Sequence, residues 1–268
     1  VVLWHGMGDN CCSPRSMGAV AKFIESRLPG VFVHSINTAE DPDSDRKASF
    51  IGSINKQIDG VCEKLKQIPE LRDGFNAIGF SQGGLLMRGY VQRCSDPPAR
   101  SLITLGAPHM GVTEVPGCMG RRSIWCNLMR QIINGEVYGK WAQENIIQAQ
   151  YYKMMKRMSD YLQHSTFLPY ANNEHPTKNA TYTERIKQLE RMVLIGFSND
   201  STVLPKESAQ FGFYNDDGSQ ILALHQQPLY TEDWLGLREL DTSGRLVIKE
   251  APGEHVRVYC RMHAVMLT

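Results

Sequence analysis

The sequence predicts an α/β fold with a mostly parallel central sheet, and two observations carry that expectation. Apolar runs of strand length alternate with stretches of helical periodicity through about residue 108, a rhythm that puts helices on both faces of a parallel sheet. In addition, Gly79-Phe80-Ser81-Gln82-Gly83 turns one such run abruptly into a helical pattern. The first strand is read at residues 1–4, followed by the helical spacing of Met17, Val20, Ala21, Ile24 and Leu28. A second strand is expected at residues 31–36, then a helix marked by Ile54, Ile58, Val61 and Leu65. The third strand is residues 75–80, continued by the helix of Leu85, Leu86, Met87, Tyr90 and Val91, and a fourth falls at 102–105. From about residue 110 to 190 helical spacings dominate: Ile124, Leu128 and Ile132; Ile146, Ala149 and Tyr152; Ile186 and Leu189. The sheet resumes at 192–197 and again at 246–248. The expected organisation is a core of residues 1–109 and 191–268 interrupted by a helical cap insertion at 110–190. The insertion's apolar residues Met129, Met154, Met155, Met158, Tyr161, Phe167 and Leu168 read equally as a wall for an apolar chain or as the insertion's own core, because flexible methionines fill both kinds of space.

Glycines flanking Ser81 let the backbone bend sharply between strand and helix, which pushes the serine oxygen out of the turn. That is the nucleophile elbow of α/β-hydrolases; the bland alternative is a glycine-rich turn closing a βα unit. A serine hydroxyl is a weak nucleophile without an adjacent base and an orienting carboxylate, and in this fold class they follow in the order Ser, Asp or Glu, His. Among the later acids, Asp200 directly follows a strand-like run, 192–197, whereas Asp216-Asp217-Gly218 has the composition of a solvated turn. The base is expected at His255, in the loop after the run Leu246-Val247-Ile248. His225 lies in a polar stretch and His263 near the chain end. The oxyanion of an acyl-transfer intermediate needs donors. The backbone N–H of Gln82 supplies one, and the N–H of Met7, in the glycine-bearing loop His5-Gly6-Met7-Gly8 after the first strand, supplies the other.

Charges nearly cancel, with 29 basic and 28 acidic residues in 268, and no aromatic ladder alternates with Lys or Arg, which argues against nucleic acid as a partner. Apolar runs of about six residues fall far short of the ~20 needed to cross a bilayer. Seven cysteines match no common zinc spacing, and no metal or cofactor is expected. Cys62 and Cys94 lie on the two helices that flank the Ser81 strand, so a bridge between them would clamp it. Cys118 and Cys126 bracket a short loop and could pair. Cys11 and Cys12 are adjacent, open to a vicinal bridge or to free thiols, and Cys260 is left over. An oxidising compartment is favoured over seven reduced thiols. The acceptor tripeptides at Asn179 and Asn199 agree with it, the second only if Asn199 faces outward while Asp200 faces inward.

The chain resembles the lysosomal palmitoyl-protein thioesterases. The resemblance rests on Trp4-His5-Gly6-Met7-Gly8-Asp9, Cys11-Cys12, Gly79-Phe80-Ser81-Gln82-Gly83-Gly84 and Phe211-Gly212-Phe213-Tyr214. It continues through Leu229-Tyr230-Thr231-Glu232-Asp233, Leu235-Gly236-Leu237 and Gly253-Glu254-His255. It implies an α/β-hydrolase that removes long-chain fatty acyl groups from protein cysteines in the lysosome, with secretion as well. It implies a triad of Ser81, Asp200 and His255, bridges Cys11 to Cys12, Cys62 to Cys94 and Cys118 to Cys126, and glycans on Asn179 and Asn199. The substrates would be S-acylated proteins or peptides and fatty acyl thioesters. Departures are Gln163-His164-Ser165 in place of a further glycan acceptor, Gly106-Ala107-Pro108-His109 in place of a more polar stretch, and a short end at 256–268. The rival readings are a lipase or carboxylesterase acting on oxygen esters, a sister thioesterase for shorter acyl groups, and a catalytically silent hydrolase fold used for binding.

Overall fold

The computed structural model describes residues 1–94, 96–114, 126 and 135–256. Its strands are β1 (Val2–Trp4), β2 (His34–Ser35), β3 (Phe75–Phe80), β4 (Ala99–Leu105), β5 (Arg191–Phe197), β6 (Phe213–Tyr214), β7 (Ile221–Leu222) and β8 (Leu246–Ala251). Six of them form one sheet in the order β2-β1-β3-β4-β5-β8, and every pairing in it is parallel. The strands β6 and β7 make a separate antiparallel hairpin whose turn holds Asp216, Asp217 and Gly218. The α/β architecture is therefore that expected from the alternation of apolar runs.

Period-two side-chain alternation lets each strand feed both faces of the sheet. Val2, Trp4, Ala77, Leu102, Met192 and Leu194 point to one face, where α3 (Ile54–Lys66) and α4 (Gln82–Arg93) cover them with Ile58, Val61, Leu65, Leu85, Leu86 and Tyr90. Leu3, Ile78, Phe80, Leu105, Ile195 and Phe197 point to the other, covered by Met17, Val20, Ala21 and Ile24 of α1 (Met17–Arg27). A short helix, α2 (Pro42–Ala48), runs between β2 and α3. It is capped by Asp41, whose carboxylate accepts the N–H groups of Asp43 and Ser44, a regular N-cap.

Two expected elements are shorter or different. The strand at 31–36 contracts to His34–Ser35 because it lies at the sheet edge and pairs only with the three-residue β1. The helical spacing of Ile146, Ala149 and Tyr152 yields a 3-10 turn over Gln148–Tyr151 instead of an α-helix. Here tertiary hydrogen bonds override local periodicity: the Gln150 amide accepts from the N–H of Ile54 and donates to the carbonyls of Gly52 and Ile146. Ile124, Leu128 and Ile132 lie outside the described residues.

Between β4 and β5 the chain forms α5 (Lys140–Asn145), α6 (Met158–His164), α7 (Leu168–Ala171) and α8 (Ala180–Lys187). Among the described residues of this stretch no strand forms, only isolated bridges from Val112 to Tyr152 and from Ile146 to Ile51. Its apolar side chains join the sheet's own core. Tyr161, Phe167 and Leu168 are buried in the same cluster as Trp4 and Leu86, and Met154, Met155 and Met158 pack half-buried against it. For these residues a core role fits better than a groove wall; Met129 lies outside the described residues. Arg88, fully buried on α4, ties this region down by donating to the carbonyls of Ala171 and His109 and to Asn172 Oδ1 at 2.9, 3.1 and 2.7 Å. Two further helices, α9 (Pro228–Thr231) and α10 (Leu237–Thr242), lead into β8.

A disulfide joins Cys62 on α3 to Cys94 at the end of α4, clamping the two helices beside β3. Cross-linking residues 32 apart in sequence removes chain entropy from the unfolded state worth roughly 3–4 kcal/mol. Replacing both cysteines with alanine is expected to lower the unfolding free energy by that amount, read as a lower midpoint of denaturant unfolding, while the sheet's circular dichroism is retained. A midpoint equal to the parent's would contradict the clamp.

Candidate active site

The parallel sheet gathers the carboxyl ends of its strands at one edge, where ligands of open α/β sheets bind. Ser81 stands at the end of β3 and opens α4. Its backbone adopts φ 52°, ψ −128°, a strained conformation for a residue with a side chain. Two features hold it there. Its N–H donates to the carbonyl of Leu105 on the neighbouring strand at 2.7 Å, and its carbonyl accepts the N–H of Gly84 at 2.9 Å. The helix also runs hard against β1: a Cβ at Gly83 would lie 2.3 Å from the carbonyl oxygen of His5 and 2.4 Å from that of Trp4. Only glycine fits at that crossing.

Asp200 follows β5 and His255 follows β8, and the structure brings both to Ser81. His255 Nε2 lies 2.7 Å from Ser81 Oγ, and His255 Nδ1 lies 2.6 Å from Asp200 Oδ2. The other carboxylate oxygen of Asp200 accepts the N–H groups of Thr202 and Val203 at 2.8 and 3.0 Å, so the acid is fixed at both ends. The two loops are also stitched together: the N–H of Asn199 donates to the carbonyl of Gly253, and that of Gly253 to Ser198 Oγ. The side chain of Asp200 is 1 % exposed and that of His255 14 %, so the imidazole reaches solvent and the carboxylate does not. His225 lies elsewhere, exposed and paired with Asp241 at 2.8 Å. His263 and Cys260 lie outside the described residues.

The loop carrying Met7 is pressed against the serine. A Cβ at Gly6 would meet Ser81 Cβ at 3.0 Å and Ser81 Oγ at 3.7 Å. Gln82 is the first residue of α4, so its N–H has no intrahelical acceptor. No described hydrogen bond engages the N–H of Met7.

Sequence reasoning missed what lies beneath that loop. His5 and Asp45 form a buried pair, His5 Nε2 to Asp45 Oδ2 at 3.1 Å. Asp45 also accepts the N–H of Cys11 at 2.9 Å and the N–H and hydroxyl of Thr38 at 2.7 and 2.8 Å. Burial alone would raise the Asp45 pKa, but His5 and these N–H groups outweigh it and bring it down to about 2. Burial likewise pulls His5 down, yet the hydrogen bond and charge of Asp45, helped by the Gly6 carbonyl and Asp9, leave it raised. His5 stood in view as part of the glycine loop; nothing local marks Asp45, forty residues on.

Cys11 and Cys12 are joined in a vicinal disulfide just after this loop. Cys126 is buried; Cys118 lies outside the described residues. Asn199 is exposed beside the buried Asp200, and Asn179 is exposed at the start of α8, where its side-chain oxygen accepts the N–H groups of Thr181 and Tyr182. His109 is fully buried, stacked on Phe211 with ring centroids 4.6 Å apart and bonded through Nε2 to Thr104 Oγ1 at 2.9 Å.

A parallel sheet in this order, with a serine on a strained strand-to-helix turn and an acid and a histidine on later strand ends, defines an α/β-hydrolase fold. The profile of the palmitoyl protein thioesterase family matches residues 1–255, and the chain belongs to that family. Palmitoyl-protein thioesterase 1 of Caenorhabditis elegans is 40% identical over 259 residues, covering 96% of this chain and 86% of that protein. Palmitoyl-protein thioesterase 3 of Dictyostelium discoideum is 34% identical over 278 residues, covering 100% and 90%. The lysosomal thioesterase PPT2 homolog of Drosophila melanogaster is 28% identical over 259 residues, covering 95% and 84%.

The two shifts set a pH window for the pair. The depressed Asp45 contributes stability that is complete above its unfolded pKa near 3.8 and is lost as pH falls toward about 2. The raised His5 contributes stability that is complete below its unfolded pKa near 6.5 and is lost as pH climbs through its folded value. Both contributions are therefore whole only between about pH 4 and 6.5. Asp45→Asn should cost on the order of 3 kcal/mol in that window, as breaking a buried pair does, and less at pH 8.5. Thermal unfolding across pH 4–8.5 checks this; a deficit that grows with pH would refute it.

Proposed function

We propose that the protein hydrolyses long-chain fatty acyl thioesters, palmitoyl groups on cysteine side chains above all, through an acyl-serine intermediate. The observation that carries this reading is the continuous hydrogen-bonded line from Asp200 through His255 to Ser81 Oγ in a member of this thioesterase family.

In the proposed reaction Ser81 Oγ attacks the thioester carbonyl as His255 Nε2 takes its proton. Asp200 accepts from Nδ1–H, which keeps Nε2 free as the base and stabilises the imidazolium. The N–H groups of Met7 and Gln82 receive the negative charge that develops on the carbonyl oxygen, and losing one such donor typically costs about 10²–10³ in turnover. A cysteine thiolate is a good leaving group, since a thiol pKa is only about 8.5, and as it departs it takes the proton from the His255 imidazolium, which returns the ring to its neutral form. Water, deprotonated by the same imidazole, then releases the fatty acid. An acyl chain supplies roughly 0.8 kcal/mol per methylene buried, so discrimination between long-chain and shorter-chain substrates rests on how much of it the protein covers. The proposed organisation keeps 110–190 as a cap over the core of 1–109 and 191–268. Lysosomal residence with some secretion agrees with the names of the PPT2 relatives and with the disulfides, which persist in oxidising compartments. N-glycans on Asn179 and Asn199 are proposed on the same ground, both side chains being exposed.

Two experiments test the mechanism. Purified parent protein should release palmitate from a palmitoylated cysteine peptide faster than from a glyceride, and Ser81→Ala or His255→Ala should lower kcat by about four to six orders of magnitude. A Ser81→Ala variant as fast as the parent sinks the reading, and preference for the glyceride turns it into the lipase alternative. In a subtler variant, Gly106→Ala puts a Cβ 3.0 Å from His255 Cε1 and 3.1 Å from Nδ1 at a residue with φ +63°. The displaced imidazole should cut kcat by about a hundredfold with KM little changed. An unaltered kcat would show that the ring is not the base.

A further inference from the structure

Ser49 sits at the end of α2, 3% exposed, and takes no part in the chemistry above. Its hydroxyl accepts the N–H of Gly8 at 2.8 Å and donates to the carbonyl of Arg46 at 2.7 Å. Its carbonyl accepts two side-chain amides, Gln82 Nε2 at 3.0 Å and Gln148 Nε2 at 2.9 Å. The ring closes on itself: Gln82 Oε1 accepts Gln148 Nε2 at 2.9 Å and the Tyr151 hydroxyl at 3.0 Å. All four residues are buried. The ring of the next residue, Phe50, lies under the same loop, so that a Cβ at Gly8 would be 3.3 Å from Phe50 Cζ.

We propose that Ser49 is the positioning residue of the oxyanion pocket, the one side chain and carbonyl that set the two donor amides at Met7 and Gln82 relative to each other. The proposal rests on the reading that these two N–H groups hold the oxyanion. Its physical content is the pair of bonds at Ser49. The hydroxyl holds the peptide N–H immediately after that of Met7, and the carbonyl holds the side chain whose own backbone N–H is the second donor. Neither donor belongs to a regular ladder: Met7 lies in a loop containing Gly6 and Gly8, and Gln82 is an N-terminal helix residue. Oxyanion donors act over a range of about 2.7–3.1 Å from the developing charge, so their separation must be held from outside, and α2 does so. Gln148 and Tyr151 extend the hold to the stretch between β4 and β5. The Gln82 amide group has partners on both its nitrogen and its oxygen, whereas Gln148 Oε1 accepts no hydrogen bond among the described residues. The restraint that matters for the second donor is the satisfied one on Gln82, strengthened by its burial.

A positioning role differs from a merely structural one in which state it stabilises. Losing an interaction felt only when the oxyanion exists lowers kcat and leaves ground-state binding alone. The test uses two ligands with the same long acyl chain. A trifluoromethyl ketone adds Ser81 Oγ to its carbonyl carbon, passes the serine proton to His255 and places an oxyanion in the pocket; a thioether of the same length binds without reacting. Affinities for both, kcat on a palmitoyl thioester peptide, and melting temperature are measured for the parent, Ser49→Ala and Tyr151→Phe.

Ser49→Ala should weaken the ketone and lower kcat in parallel, each by about tenfold, the range of one lost hydrogen bond to a placed donor, with thioether affinity within about twofold. Tyr151→Phe, which removes one hydroxyl from the Gln82 side of the ring, should act in the same sense by about threefold. Equal weakening of ketone and thioether, or unchanged ketone affinity in a folded Ser49→Ala protein, overturns the proposal. If Ser49→Ala does not fold, unchanged ketone affinity in Tyr151→Phe overturns it instead. The ketone needs only a reactive serine and an oxyanion pocket, so the affinity ratio reports on Ser49 whether or not the thioester is the preferred substrate. Failure of the thioesterase reading would appear separately, as a parent that binds the ketone and hydrolyses no acyl thioester.

Discussion

The backbone at Ser81 is the constraint on which the site depends. A non-glycine residue at φ 52° is held against its own preference, and such strain persists only where the surroundings over-determine it. Here they do so from three sides: the β4 carbonyl of Leu105 fixes the serine N–H, α4 abuts the carbonyls of Trp4 and His5 at Gly83, and the loop at Gly6 lies on the serine itself. The strain has a use, because relaxing the turn would carry Oγ away from the imidazole. It also accounts for the crowding of small residues around this single position.

The same logic extends downward. The loop from His5 to Cys12 is short of apolar anchors, and its placement comes from polar contacts with α2: the buried pair of His5 with Asp45 and the hydroxyl of Ser49. A buried pair is weak evidence for net stability but is costly to break once made. What it confers on a glycine-bearing loop is a single position. The bonds from Cys11 and Thr38 to the same carboxylate spread that restraint across three segments of chain.

Much of this was legible in the residues because strand ends are a local property. Ser81, Asp200 and His255 each follow an apolar run, and a parallel sheet brings such ends to one edge, so three positions remote in sequence were paired without long-range information. Asn199 and Asp200 likewise separate by burial as alternation past a strand end would have them. Partnerships between distant polar side chains were not legible. No periodicity joins His5 to Asp45, or Ser49 to Gln148, and Gln148 and Gln150 sit between Ile146, Ala149 and Tyr152, which carry the apolar spacing of an ordinary helix, while the amides are spent on the core. The run at 31–36 promised a full strand, but the length of its only partner, not its own composition, decided how much of it pairs. The adjacent cysteines at 11 and 12 were undecided on chemistry alone, and their linkage became readable only through resemblance.

The sheet order has a consequence for how such a protein can change over time. Ser81, Asp200 and His255 hang from β3, β5 and β8, and strand register with β4 between them sets their mutual distances. The connection from β4 to β5 meets the site at Gly106, which lies against the His255 ring, and at Gln148 and Tyr151, which hold the Gln82 side chain, so its content is constrained at those positions. Descendants could exchange the remainder of that passage, and with it whatever it recruits, while Ser81, Asp200 and His255 stay where they are.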